Sequence, residues 1–237
     1  MIKLFRNTRK KMLDKGNFQK YILYAIGEII LVVVGILIAL SINNWNNNKL
    51  DRKAELQIYK NIKSQILDDR GLLNGIIDYN NRYLEQYDFA QQIIAKNDRS
   101  KIDTLRKITF NLYRYSDLNR SSNIYQTIVN SGELKLLKNL SILERLQRLE
   151  ESYIYLNRME EIHFKVILRY VGPGVIDNIN LSTGVVDRPD ELYSFDIQNL
   201  FLLFTEIMNE KDEVYQRTLE QINIITNLID EELDTEK

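Results

Sequence analysis

Hydrophobic residues follow two patterns along this chain: one continuous apolar run near the N-terminus, and helical stripes after it. The run YILYAIGEIILVVVGILIALSI covers residues 21–42 and contains one ionisable side chain, Glu28. A helix of this length measures about 33 Å, enough to cross a hydrocarbon core of about 30 Å. A cleaved signal peptide would have a shorter apolar core, and Ala39-Leu40-Ser41 only loosely resembles its cleavage site. The run therefore predicts an uncleaved signal anchor, with a transmembrane helix over residues 21–42.

The residues that flank the run are typical of a membrane surface. Tyr21 begins it and Trp45 follows its end, which predicts an aromatic anchor at each interface. Residues 1–20 carry seven basic side chains against one acid, Asp14, and the comparable stretch after the run carries four. The positive-inside rule therefore places the N-terminus in the cytoplasm and the C-terminal part outside it. The basic residues predicted to set this topology include Arg6, Arg9, Lys10, Lys11, Lys15 and Lys20.

Glu28 lies near the middle of the predicted span, where an ionised carboxylate costs about 2.5–3.5 kcal/mol. At 100° per residue it shares a helix face with Tyr24, Val32, Gly35 and Ala39. We call this face the transmembrane packing face, because Gly35 and Ala39 form a small-xxx-small pair that lets another helix approach closely. We expect Glu28 to be hydrogen-bonded at a helix–helix contact. A proton or ion pathway, and a carboxyl that reaches the headgroup region, are the alternatives.

Apolar residues return at helical spacing after residues 43–50, an asparagine-rich segment interpreted as a juxtamembrane hinge. A heptad a/d series follows, and it is apolar except at Asp69 and Asn80. Its positions are 59, 62, 66, 69, 73, 76, 80, 83, 87, 90 and 94. The series predicts a long coiled-coil-like helix, either continuous with the membrane helix or separated from it by a break at residues 43–48.

Shorter helices are predicted next. Ser100 and Asp103 are spaced as in a capping box, which predicts a helix over about residues 101–116. A further short helix is expected to begin near Ser121 and to end near Gly132.

Two long elements close the chain. Ser141 and Glu144 form a second capping box, which predicts a long helix that continues to about Tyr170. Turn residues in Val171–Asp190 predict an irregular loop, and a last helix is expected to begin near Ser194. Together these elements predict an all-α fold, with one N-terminal transmembrane helix followed by an antiparallel bundle. The predicted domains are a basic cytoplasmic segment 1–20, a transmembrane helix 21–42, a hinge 43–50 and an extracytoplasmic helical bundle 51–237.

Motifs for catalysis or metal binding are sparse. The chain has no cysteine, which excludes disulfides, thiolate nucleophiles and cysteine metal sites. Its one histidine, His163, lies in a Glu160-x-x-His163 sequence, the ligand pattern of di-iron bundles, but such sites need a second pair and two further carboxylates. We therefore expect a protein that is not an enzyme, with no metal, cofactor or catalytic residues and with His163 packed or hydrogen-bonded between helices.

The charge pattern bears on partners. The first 20 residues carry a net charge of +6, so the remainder of the chain carries −7. Because the basic residues crowd against the apolar run instead of forming a basic face on the bundle, we expect membrane association and no nucleic-acid binding.

Two stretches of sequence resemble a known family. One is YAIGEIILVVVGILIALSINNWN with the basic MIKLFRNTRKKML before it, and the other is SGELKLLKN at Ser131–Asn139. They resemble an uncharacterised family of membrane proteins of Bacteroidota, a domain of unknown function. The resemblance implies a single-pass envelope protein and supplies no activity.

Two functions are compatible with these patterns. The first is a non-enzymatic interaction or assembly module, an accessory subunit of a membrane complex, anchored in the inner (cytoplasmic) membrane with a periplasmic C-terminal domain. It implies a protein partner or a homo-oligomer. The alternative is an extracytoplasmic sensor, which holds a small molecule among its helices or beneath the loop Val171–Asp190 and signals laterally through a partner.

The predicted orientation can be measured with single cysteines, because the chain contains none of its own. Ser100→Cys and Ser182→Cys should each react with a membrane-impermeant thiol reagent in intact cells, once any outer membrane has been opened. The reason is that both positions lie in the part expected outside the cytoplasm. Labelling that appears only after lysis contradicts this orientation.

Overall fold

The computed structural model describes residues 18–118, 123–176, 178–180 and 182–235, and most of these are helical. Within those ranges no β-strand forms, and Ile179 and Val186 make one isolated bridge. The predicted all-α class is confirmed. The α-helices are α1 (Phe18–Ala95), α2 (Ile102–Phe110), α3 (Ile124–Ser131), α4 (Leu140–Val166), α5 (Gly172–Ile176) and α6 (Phe195–Asp234).

Helix α1 contains 78 residues and continues without a break through residues 43–50. Of the two alternatives left by the sequence, the continuous helix is the one observed. The chain divides into two compact units, the first ending at Ala54 and the second beginning at Glu55. The first unit exposes the apolar run, from Ile29 to Ile42 without exception. By length and composition, α1 is the one described helix that could cross a membrane.

The second unit is a bundle of α1, α4 and α6 with the shorter elements packed against it. Contacts between residues far apart in sequence show that α6 runs antiparallel to both α1 and α4, which confirms the predicted antiparallel arrangement. The pairs that fix these directions are Lys63–Asp230, Gln91–Thr205, Arg145–Gln221 and Tyr155–Glu210.

The heptad series of α1 forms the inner face of this bundle. Its positions are buried except Ile76 and Tyr83, which are half-buried. Even the two polar exceptions are buried, with Asp69 1% exposed and Asn80 0% exposed. Each large apolar side chain removed from water in this way stabilises the fold by about 1.5–3 kcal/mol.

Apolar burial is divided into two separate cores along the bundle. The first core draws on residues 56–77 of α1, 142–156 of α4 and 214–229 of α6. The second core draws on residues 87–94 of α1, Ile167 and Val171, and residues 197–208 of α6. On all three helices, the residues between these two cores include buried polar side chains.

The predicted start of the helix after Ser100 is one residue from the start of α2, whereas the predicted end, at about residue 116, is wrong. Asp98 accepts hydrogen bonds from the backbone N and the Oγ of Ser100, at 3.2 and 2.6 Å, and caps a 3-10 turn that precedes α2. The N-cap position of α2 is Lys101, which makes no side-chain cap hydrogen bond, so the predicted capping box of Ser100 and Asp103 does not form. Helix α2 ends at Phe110 and a 3-10 turn, Asn111–Tyr113, follows it.

The second predicted capping box is also wrong, by two residues. Asn139 accepts from the backbone N of Ser141 at 3.0 Å and of Ile142 at 3.2 Å, and so is the N-cap of α4. At its other end α4 gives way to a π-helical turn, Ile167–Val171. This turn changes the helical register, and Tyr170 is 47% exposed instead of continuing the buried stripe.

Three other predicted boundaries are close to those observed. Asn123 caps α3, and Gly132 ends it in the left-handed region at φ +73°, which glycine adopts without strain. Ser194 caps α6 through the backbone N of Ile197. The predicted loop Val171–Asp190 contains the short α5 and is otherwise irregular in its described residues.

The cap of α4 gives a direct stability prediction. Asn139→Ala should lower the free energy of unfolding by about 1–2 kcal/mol, because the first turn of α4 loses its side-chain acceptor. Ser141→Ala is the matched control and should change it by less than about 0.5 kcal/mol, because exposed Ser141 is not the cap. Urea unfolding of the full chain in mild detergent measures both. Equal effects of the two substitutions would contradict this assignment.

Candidate functional site

A cluster of polar side chains separates the two apolar cores, and we call it the central polar cluster. Each member is at most 6% exposed. Buried polar groups are costly unless they are hydrogen-bonded, so this cluster is the place where the bundle departs from simple apolar packing. Its members are Asn80 of α1, Ser116 after α2, Glu160 and His163 of α4, and Lys211 and Tyr215 of α6.

Lys211 provides the positive charge of the cluster. Its Nζ donates to the backbone O of Ser116 at 3.0 Å and to Ser116 Oγ at 2.7 Å. Ser116 Oγ in turn donates to Asn80 Oδ1 at 3.0 Å. Burial lowers the pKa of Lys211 to about 8, and the carboxylate of Glu160 opposes this shift. Lys211 therefore joins α6 to α1 through Ser116, which lies in the non-helical segment 114–118 after α2.

Glu160 provides the matching acid. Its Oε1 accepts from the backbone N of Leu118 and from Tyr215 OH, both at 2.9 Å. Burial raises the pKa of Glu160, while these two hydrogen bonds and the charge of Lys211 oppose the rise. Residues 114–118 are not helical, and Lys211 and Glu160 satisfy backbone groups there that helical hydrogen bonds leave open.

His163 lies between two aromatic rings in the interior. Its ring centroid is 4.9 Å from that of Phe204 and 6.2 Å from that of Tyr115, both nearly edge-on. Neither ring nitrogen has a hydrogen-bond partner among the described residues. Burial, with a smaller effect of Lys211, lowers the pKa of His163 to about 3, so the ring is neutral near pH 7. His163 is thus packed between helices. This is one of the two arrangements expected from the sequence, the other being a hydrogen bond between helices.

The Glu160-x-x-His163 pattern lies beside an ammonium group rather than beside further ligands. In the described ranges no three His, Cys, Asp or Glu side chains come together in a way that could hold a metal ion. The positive charge that Glu160 meets is that of Lys211.

The segment SGELKLLKN forms a second buried polar contact, at the other end of the first core. Glu55 is 0% exposed, and its Oε1 accepts from the backbone N of Lys138 at 2.7 Å and from Tyr59 OH at 3.1 Å. The backbone N of Asn139 donates to the same Tyr59 hydroxyl at 3.3 Å. The segment that connects α3 to α4 is therefore fixed to α1 through its backbone.

The transmembrane packing face is open in the structure. Tyr24 and Glu28 are half-buried, whereas Val32 is 55% exposed and Gly35 and Ala39 are also exposed. A Cβ atom added at Gly35 would meet nothing within 4 Å. These five residues belong to one continuous helix, and their role in packing stays a prediction.

The residues predicted to face the membrane surface are only partly described. Trp45 is 67% exposed, and Lys49 Nζ lies 5.7 Å from its ring centroid. Lys20 and Tyr21 belong to the first turn of α1 by their backbone, and their side chains lie outside the described part. The remaining topology-setting residues also lie outside the described residues: Arg6, Arg9, Lys10, Lys11 and Lys15.

Three of the six members of the central polar cluster stand out in the sequence. Asn80 is a polar exception in the heptad series, and Glu160 and His163 are singled out by their Glu-x-x-His spacing. Lys211 was missed, although it occupies the inward position between Met208 and Tyr215 on the stripe of α6. The interrupted stripe was the available signal. Ser116 gave none, because it lies in an irregular segment.

The fold and the site together define a class of protein: all-α, with an N-terminal helix able by length and composition to cross a membrane, followed by a helical bundle. The chain belongs to DUF6090, a family of unknown function that matches residues 28–172. This confirms the expectation of an uncharacterised family, while an origin in Bacteroidota stays an expectation. No curated protein and no solved structure matches the chain.

The burial of His163 predicts a pH-dependent stability. Between pH 6.5 and about 3 the unfolded chain binds a proton that the folded chain does not, so folded-state stability falls as the pH drops through this window. His163→Phe keeps an aromatic ring in place and removes the group that binds this proton in the unfolded chain. We therefore compare the unfolding free energy of the variant with that of the wild type. Their difference should shift by about 1.4 kcal/mol in favour of the variant between pH 7.5 and pH 5.5.

Urea unfolding of both proteins at the two pH values measures this difference. Glu160 titrates with the opposite sign, but it is present in both proteins and cancels in the comparison. An unchanged difference in unfolding free energy between pH 7.5 and pH 5.5 would show that His163 is not the group responsible.

Proposed function

We propose that this protein is a non-enzymatic, membrane-anchored helical interaction module of the cell envelope, acting as an accessory or assembly subunit of a membrane complex. The observation that supports the proposal is the exposed apolar part of α1 in the first unit of the chain. Its apolar side chains from Ile29 to Ile42 are all exposed, so this helix requires a lipid or protein environment. We place it in the inner membrane, with the bundle in the periplasm.

The transmembrane packing face supports a protein neighbour over lipid alone. Glu28 shares this face with Gly35 and Ala39, and intramembrane carboxyl groups normally face protein or a water-filled cavity. The small residues let a second backbone come close enough for Glu28 to hydrogen-bond across the contact.

The central polar cluster supports a structural role rather than a catalytic one. Glu160 and Lys211 are 4% and 0% exposed; Glu160 Oε1 accepts from the backbone N of Leu118, and Lys211 Nζ donates to Ser116. A substrate in solvent would have to open the bundle to reach them. The most perturbed titratable groups are thereby accounted for by folding.

A cavity beside the predicted loop favours the sensor function as a second candidate. It measures about 350 Å³, and its lining includes Arg106, Lys107, Asn180 and Gly184. Arg106 Nη1 donates to the backbone O of Gly184 at 2.7 Å, which holds the loop against α2. The two basic residues would suit an anionic small molecule. Thermal stabilisation of the full chain by carboxylates or phosphates, lost in Lys107→Ala, would favour this second function.

Substitutions on the transmembrane packing face distinguish the roles of Glu28. Glu28→Gln should be mild, because an amide still donates and accepts hydrogen bonds. Glu28→Leu should weaken association modestly, since membrane hydrogen bonds contribute about 0.6 kcal/mol on average. Gly35→Leu should do more damage, because it fills the surface of close approach. Crosslinking in native membranes, followed by identification of the captured proteins, measures the loss.

Gly27→Leu is the matched control, because Gly27 lies about 100° away from Glu28 around the same helix. It should leave crosslinking unchanged. A proton pathway predicts the reverse order, with Gln as harmful as Leu at position 28. If every variant behaves like the wild type, this face contacts lipid and the proposed packing role is wrong.

A further inference from the structure

Helix α6 carries a second apolar face, on the outside of the bundle. Its inward stripe packs into the second core through Ile197 and Phe201. On the outward face Phe195, Leu202 and Leu203 are 81%, 44% and 39% exposed. Spacings of seven and eight residues place these three side chains on one side of the helix. They form an apolar face that folding of a single copy does not cover.

A cavity of about 480 Å³ lies next to this face. It is several times larger than a cavity of about 150 Å³ that accepts benzene, so it has room for an aromatic side chain. The π-helical turn after α4 helps to build it, because that turn brings Tyr170 out of the buried stripe. Its lining residues are Tyr170, Asp196, Ile197, Asn199, Leu200 and Leu203.

The most exposed apolar side chain of the bundle is adjacent to this cavity in sequence. Phe195 immediately precedes Asp196 and Ile197, which line it. A projecting ring beside a cavity of sufficient size can be self-complementary, as a two-fold symmetric interface is, because each copy then contributes both parts.

The charges at this surface have the same self-complementary character. Asp196 lines the cavity from α6, and Arg169 belongs to the π-helical turn, with its guanidinium carbon 5.4 Å from the ring centroid of Tyr170. Both side chains are exposed, and neither makes an ion pair within the described ranges. Because one surface carries both charges, a two-fold pair of such surfaces can bring Arg169 of one copy to Asp196 of the other.

We propose that this surface binds a second copy of the chain. In the two-fold pair, Phe195 of each copy enters the cavity of the other, and Arg169 of each copy pairs with Asp196 of the other. The inference rests on the proposed function in one respect: anchoring both copies in one membrane raises their effective concentration, so a surface of modest area suffices.

Single-cysteine crosslinking of the full chain in native membranes tests this pair. The substitution Asn199→Cys lies on the cavity wall and should give a disulfide between copies under mild oxidation, since the chain contains no other cysteine. Adding Phe195→Glu should abolish the crosslink. Leu140→Glu is the matched control, because Leu140 is 74% exposed and follows the N-cap of α4 as Phe195 follows that of α6. It should leave the crosslink intact.

A charge exchange provides the second measurement. Arg169→Asp and Asp196→Arg should each reduce the crosslink yield about threefold to tenfold, because like charges then face each other. The double variant restores opposite charges across the axis and should recover most of the yield. A surface whose residues act only in folding of one copy would show no such recovery.

Three results would overturn the proposal. The first is that the Asn199→Cys variant forms no crosslink in membranes where cysteines on the transmembrane packing face still crosslink, which leaves the proposed function standing. The second is a crosslink of the Asn199→Cys variant that Phe195→Glu does not change. The third is capture of a different protein by this variant with no self-crosslink, which would assign the surface to another partner. Loss of every crosslink at both sites would count against the proposed function itself.

Discussion

The ammonium group of Lys211, held on Ser116 in the interior of the bundle, is the contact on which the rest of the packing depends. A buried charge is tolerated only where hydrogen bonds and an opposite charge compensate for lost hydration, and here Ser116 supplies the first and Glu160 the second. One cluster therefore connects all three long helices: α6 contributes Lys211, α4 contributes Glu160 and α1 contributes Asn80. A shift of any helix by one turn would leave these groups without partners.

Buried tyrosine–carboxylate hydrogen bonds recur along the same bundle. Tyr59 donates to Glu55 at 3.1 Å, Tyr153 to Asp69 at 2.9 Å, and Tyr215 to Glu160 at 2.9 Å. The last two join different helices, and the first also anchors the segment that leads into α4. Apolar side chains alone permit several registers of similar stability, whereas each of the two bonds between helices is made in one register only. We infer that they select the arrangement which the apolar cores then stabilise.

The two units of the chain place different demands on their surroundings. The bundle buries its own apolar stripes and the polar groups among them, so it has a core of its own. The described part of the first unit exposes its apolar side chains from Ile29 to Ile42 and contributes no residue to either core. The helix able by length and composition to cross a membrane therefore begins in the first unit, and the buried cores belong to the second.

Much of this architecture follows from the sequence, and the rest required the tertiary structure. The apolar run, the heptad series of α1 and the stripes of α4 and α6 were determined by periodicity, because helix formation and burial of one face depend on residues close in sequence. The caps depend on which nearby side chain is the better placed acceptor. Asp98 and Asn139 act as caps in place of Ser100 and Ser141, and sequence spacing alone does not distinguish these candidates. The burial of Lys211, the pairing of Glu160 with Leu118 and the cavity beside Phe195 were decided only by tertiary packing, because each depends on which residues distant in sequence come to lie beside them.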